Sequence, residues 1–225
     1  MAKRVSLEGI SVCIFDINGV LIDSNRANAL ALARAFTEDP ALRDRIVALY
    51  LQLTGIDRGT KIRRVREQII GRPFKDNEFQ RHWDRVKEFT RESMIGAPLL
   101  PGCRETLEEL GRRRLKRVAL SNTPAKELKE ILAAKRIDTL FDVIRGGGDR
   151  PKSESLMRVI NELALDRDAC VFIGDGKGDY QAATHAGIRF IAIDPGTGEF
   201  DPYGGFEGPY RDLAHWGRET LISEQ

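Results

Sequence analysis

The sequence predicts an α/β protein: a parallel sheet with helices on both faces, interrupted once by an all-helical insertion. Two observations predict it. Short apolar runs rich in β-branched residues recur along the chain and alternate with helical patterns. Between the first such run and the second lies a long stretch with helical patterns only. Strand, helix, strand in repetition gives a parallel sheet, because each crossover lays a helix on one of its faces.

The first apolar run is 10–15 (ISVCIF), with Asp16 at its carboxyl end. Similar runs lie at 117–120 (RVAL), 169–173 (ACVFI) and 189–193 (RFIAI), with a weaker one at 141–144 (FDVI). Pro101 and Gly102 open a helix over 103–114, and Thr123-Pro124 opens another over 125–135. Ser153 is placed to cap a helix over 154–163, and a helix over 179–186 stops at Gly187. The stretch between Ser24 and Pro98 carries helical patterns at 27–36, 42–53, 61–70 and 78–93. Asp39-Pro40, Gly55 and Gly71-Arg72-Pro73 punctuate them. The expected division is therefore a sheet domain of residues 1–23 and 97–225, with residues 24–96 inserted after the first strand. The Gly- and Pro-rich segment from Pro195 to Pro209 predicts a long loop before a closing helix over 212–222.

Composition excludes several classes. With 41% hydrophobic and 31% charged residues, a chain of 225 residues has enough apolar material for a packed core. Lys and Arg total 36 against 34 Asp and Glu, and a net charge of +2 provides no broad field for nucleic acid or an anionic membrane. Cys13, Cys103 and Cys170 lack CxxC or zinc spacing and read as reduced thiols. Glu8 and Asp16 interrupt any apolar segment after Lys3 and Arg4, and no apolar run approaches membrane-spanning length. The expectation is a soluble cytoplasmic protein.

Ligands of open parallel sheets bind outside the carboxyl ends of the strands. Those ends deliver Asp16 and Asn18, then Ser121 and Asn122, then Lys152, then Asp175 and Asp179. Each alone has a bland explanation, as a turn residue, a helix cap or a solvated loop lysine. Together they place carboxylates, a hydroxyl and an ammonium on one edge.

This set resembles the haloacid dehalogenase superfamily of phosphohydrolases. The first motif is similar to Phe15-Asp16-Ile17-Asn18-Gly19-Val20-Leu21, except at Asn18, and the second to Leu120-Ser121-Asn122. Lys152 stands for the third, and Gly174-Asp175-Gly176-Lys177-Gly178-Asp179 for the fourth. The resemblance implies a Rossmann-like core with an inserted helical cap domain. It also implies hydrolysis of a small phosphorylated metabolite, such as a sugar phosphate or phosphoglycolate. Asp16, Asp175 and the backbone carbonyl of Asn18 would hold Mg2+, with Asp179 orienting bound water or joining the metal shell. Asp16 would attack phosphorus to form an aspartyl-phosphate. Lys152, Ser121 and Asn122 would contact the phosphoryl group, and Arg58 of the cap is the expected further substrate contact. Asp23 is expected to cap the first cap helix, and Gly19 to allow a close backbone approach.

Asn18 departs from the pattern. The family's phosphatases carry a second aspartate there, which protonates the leaving alcohol; an amide has no such proton. The predicted enzyme is slow, or it is a catalytically impaired binding protein of the same fold. His185 is a substitute acid in principle, although packing explains it better. A dehalogenase would not need the acidic fourth motif, and a phosphonatase would need a cap lysine, for which Lys61 is the early candidate. Residues 146–153 nearly spell a P-loop, yet Pro151 removes an N–H that such a loop aims at phosphate. Oligomeric state is not legible.

Overall fold

The computed structural model describes residues 7–53, 56–75, 77–148 and 150–221. Gly55, Asp149, Lys3, Arg4 and Ile222, which enter the sequence readings above, lie outside the described residues.

Among the described residues, six parallel strands form one sheet in the order β3-β2-β1-β4-β5-β6. They are β1 (Val12–Phe15), β2 (Lys116–Ser121), β3 (Val143–Gly146), β4 (Cys170–Gly174), β5 (Arg189–Ile193) and β6 (Glu207–Tyr210). Both central strands are buried throughout, because helices cover both faces. The two-residue side-chain period divides them between two cores. Cys13 and Phe15 of β1, with Val171 and Ile173 of β4, join the core beneath α5 (Cys103–Arg112), α6 (Ala125–Ala134) and α9 (Leu213–Thr220). Val12, Ile14, Cys170 and Phe172 face α7 (Lys152–Glu162) and α8 (Lys177–Ala186). The three thiols are free and buried, and burial raises those of Cys13 and Cys103 to about 12, so they pack as small hydrophobes. Among the described residues, no helix is long and apolar enough to cross a membrane.

Between residues 25 and 96 the elements among the described residues are all helical: α1 (Asn25–Phe36), α2 (Pro40–Leu51), α3 (Arg58–Val65), a π-helical turn (Arg66–Ile70) and α4 (Glu78–Gly96). The starts are locally encoded. Asp39 accepts from the Ala41 N–H at 2.9 Å ahead of Pro40, and Asp57 accepts from the Thr60 N–H at 2.8 Å. The π turn stops at Gly71 in the left-handed region, where glycine carries no Cβ penalty. These helices bury a core of their own around Leu32, Ile46, Tyr50, Ile62 and Val86.

Three expectations need correction. The segment after Pro195 contains the strand β6, whose Glu-Gly-Pro-Tyr lacks any strand pattern. An edge position tolerates its proline, and pairing to β5 stabilises it rather than intrinsic propensity. The helix expected to begin after Ser153 begins at Lys152, following Pro151, and Ser153 does not cap it. Asp23 is exposed and does not cap α1; Ser24 precedes that helix, and its hydroxyl turns to Asn18.

Candidate active site

The sheet order reverses between β1 and β4, so the crevice at their carboxyl ends is the topological switch point. Phe15 pairs with Ile173, and the Asp16 N–H donates to the Ile173 carbonyl at 2.9 Å. The next residues of each strand therefore emerge side by side, and Asp16 and Asp175 face one crevice. Two glycines permit the approach. Gly19 has φ +78°, its N–H donates to the Ile22 carbonyl at 2.9 Å, and a Cβ there would overlap Asp175 Oδ2. A Cβ on Gly174 would overlap the side chain of Asp179.

Asp16, Asp175 and Asp179 each present an oxygen within 4.8 Å of the others. Lys152, on the first turn of α7 and 4% exposed, sends Nζ into this group. It lies 2.5 Å from Asp16 Oδ1 and 3.1 Å from Asp179 Oδ1. Burial opposes its charge, but the two carboxylates outweigh burial and hold the lysine above its ordinary range. The carboxylates move upward as well. Burial first, then Asp16 and Asp179, push Asp175 well above the usual range, although Asn25 Nδ2 donates to it at 2.6 Å. Asp179 is pushed up to about 6 by burial and Asp16, against the pull of Lys152 and the Gly176 N–H. Three carboxylates around one ammonium leave excess negative charge in a confined space, which suits a hard divalent cation with oxygen ligands.

Asn18 lies on the insertion side of this cluster. Its Oδ1 accepts from Ser24 Oγ at 2.8 Å and from Asn28 Nδ2 at 3.4 Å, both at the start of α1. Asn122 lines the crevice beside Asp16, Lys152 and Asp175. Ser121, fully buried, is engaged instead with Thr123: its hydroxyl donates to Thr123 Oγ1 and accepts the Thr123 N–H, each at 3.1 Å. His185 is exposed on the last turn of α8, so neither catalysis nor packing accounts for it.

Arg58 is the first residue of α3, and its guanidinium is engaged within the protein. Nη1 and Nη2 donate to Glu127 of α6 at 3.1 and 2.6 Å, and Nη2 also donates to Thr90 Oγ1 at 2.9 Å. Glu127 is 2% exposed. One helical turn on, Lys61 faces the crevice with its ammonium 3.8 Å from the centre of the Tyr50 ring.

Asn25, Asn28 and Glu127 had no functional reading in the sequence. The first two share with Ser24 the opening turn of α1, and that cluster of polar residues straight after the first motif was the available signal. Glu127 gives none, because an acidic residue in the first turn of a helix is ordinary dipole pairing.

A parallel sheet with three carboxylates and a lysine at its switch point, roofed by inserted helices, defines a Rossmann-like protein with a capped, acid-rich crevice. The chain belongs to the haloacid dehalogenase-like hydrolases, whose family model matches residues 13–193. It is 28% identical over 203 residues to a phosphoglycolate phosphatase of Photorhabdus laumondii, covering 87% of this chain and 85% of that one. A crystal structure described as a predicted phosphoglycolate phosphatase from Haemophilus somnus superposes with a TM-score of 0.77 at 21% identity, covering 96% and 99% of the two chains. CbbY from Rhodobacter sphaeroides, solved in complex with phosphate, gives 0.71 at 20% identity, covering 95% and 98%.

Proposed function

We infer that this chain is a phosphatase that hydrolyses small phosphate monoesters through an aspartyl-phosphate on Asp16, with residues 24–96 acting as its cap. The observation that carries the reading is the buried contact of Lys152 with both Asp16 and Asp179, beside Asp175. The phosphatase names of the sequence relatives support it.

The carboxylates fit a magnesium ion, which Asp16, Asp175 and the Asn18 carbonyl would hold, with Asp179 beside them. Magnesium supplies charge neutralisation at the phosphoryl oxygens when bound. Lys152 supplies a fixed positive charge next to the nucleophile, so an anionic ester can approach a carboxylate. Asp16 Oδ attacks phosphorus in line, the phosphorus–oxygen ester bond breaks, and the alkoxide leaves. Water then attacks the aspartyl-phosphate, releasing inorganic phosphate and restoring Asp16. Asn18 donates no titratable proton, so the alkoxide takes its proton from water. General acid catalysis typically contributes about 10²–10⁴-fold, and turnover is low by that factor unless the leaving group is intrinsically good.

The test is a panel of phosphate esters assayed with magnesium and with chelator, together with trapping of beryllium fluoride on Asp16. Magnesium-dependent phosphate release and an Asp16 adduct are expected. A second reading, a metabolite-binding protein without turnover, is favoured by the firm seating of Asn18 against Ser24 and Asn28. Ligand binding without phosphate release from any ester would select it. The paired acidic motif that fits a metal argues against a dehalogenase, and a phosphonatase would form a reducible imine on Lys61.

A further inference from the structure

The crevice has two compartments. One, of about 40 Å³, is lined by Asp16, Lys152 and Asp175. The other, of about 60 Å³, lies under the helices and is lined by Leu32, Val86, Met94, Asn28 and Arg58. Asn18, Tyr50, Ile56, Lys61 and Asn122 line both and so form the partition between them. If phosphorus sits against Asp16 in the first, the second, which adjoins it through these shared residues, is the space offered to the non-transferred half of the substrate. A water needs about 10–15 Å³ of such volume, so only a short carbon chain fits.

Two polar groups in the second compartment have capacity left. Lys61 has no carboxylate partner among the described residues; its ammonium rests on the Tyr50 ring at 3.8 Å. Arg58 carries the other charge of this wall, but Glu127 neutralises it. The side chain of Asn28 is buried, at 2% exposure, and its Oδ1 accepts no hydrogen bond. A buried acceptor without a donor is destabilising, and a ligand hydroxyl would satisfy it.

On the phosphatase reading above, we propose that the second compartment selects the phosphate ester of a short-chain acid bearing a further hydroxyl. Lys61 recognises the carboxylate and Asn28 Oδ1 accepts the hydroxyl proton. The Arg58–Glu127 pair fixes α3 against α6, so that Lys61, one turn along the same helix, stays over the partition.

The experiment compares kcat/KM for 3-phosphoglycerate, phosphoglycolate, glycerol 3-phosphate and ethyl phosphate. 3-Phosphoglycerate should be the best of the four and ethyl phosphate the poorest. Lys61→Met should lower the ratio of acidic to non-acidic esters by about ten- to a hundredfold, as expected for a lost charge-assisted hydrogen bond. Asn28→Leu, with Asn28→Ala as a smaller alternative should the leucine variant not fold, should remove the preference for 3-phosphoglycerate over phosphoglycolate. An unchanged ratio in Lys61→Met, or equal rates for all four esters in the wild type, overturns the proposal. If no ester is turned over, the phosphatase reading fails by itself, and calorimetry decides this one separately. 3-Phosphonopropionate should then bind at least tenfold more tightly than propylphosphonate, and Lys61→Met should abolish the difference; equal affinities in the wild type overturn it.

Discussion

Arg58 of the inserted helices and Glu127 of the sheet domain are joined by a two-pronged ion pair, with contacts of 2.6 and 3.1 Å. Both side chains are largely withdrawn from water, at 10% and 2% exposure. Removing one partner of such a pair leaves the other charge buried without compensation. Glu127→Ala should therefore destabilise the protein by about 3 kcal/mol in urea unfolding. Arg58→Gln combined with Glu127→Gln should recover much of that loss. If the double variant were as unstable as the single one, the pair would not be the cause.

Asn18 occupies a seat already built for an oxygen. Its Oδ1 receives Ser24 Oγ and Asn28 Nδ2, and an aspartate would keep both donors. Asn18→Asp should raise kcat on phosphate esters by roughly 10²–10⁴-fold, the usual contribution of a general acid. Equal or lower rates across several esters would refute the assignment of the slow step to the missing proton.

The acidic cluster makes a signed prediction about pH. Asp179 is raised from 3.8 to about 6, and Asp175 is raised too, so the folded protein without metal holds protons that the unfolded chain releases. Stability from these groups is fully present below about pH 4 and is lost as pH rises towards 6. Bound magnesium needs the deprotonated carboxylates and reverses the trend. The rise in Tm on adding magnesium should thus grow between those limits. At a hundred times its Kd it should reach roughly 5–10 °C near neutrality. A magnesium shift independent of pH across this window would exclude the cluster as the binding site.

Gly19 is the glycine on which the site geometry depends most. Its positive φ and the overlap that a Cβ would make with Asp175 Oδ2 both forbid a side chain. Gly19→Ala should weaken magnesium binding by at least tenfold and lower Tm. Gly9→Ala, also at positive φ but with open space around it, should lower Tm without affecting magnesium. Normal magnesium affinity in Gly19→Ala would show that the close approach is dispensable.

The motif segments were legible because their positions follow from local order. An apolar strand ends, a polar residue follows, and parallel connectivity puts every such end on one edge. Asp16, Lys152, Asp175 and Asp179 were found this way. Arg58 was read as a substrate contact, and its sequence neighbourhood gives no hint of its pairing with Glu127, which lies 69 residues away. The strand β6 was missed because its pairing with β5, not its own residues, makes it extended.

By itself, the sequence determined the layered α/β architecture, the helical insertion and the edge on which the acidic residues gather, since periodicity and chain order are local properties. Only the tertiary structure decided which charges are already neutralised. Arg58 and Lys61 look equivalent along the chain, yet folding sets one against a buried carboxylate and the other against an aromatic ring. Coulomb energies depend on distances between residues remote in sequence, and no spacing rule along the chain encodes those distances.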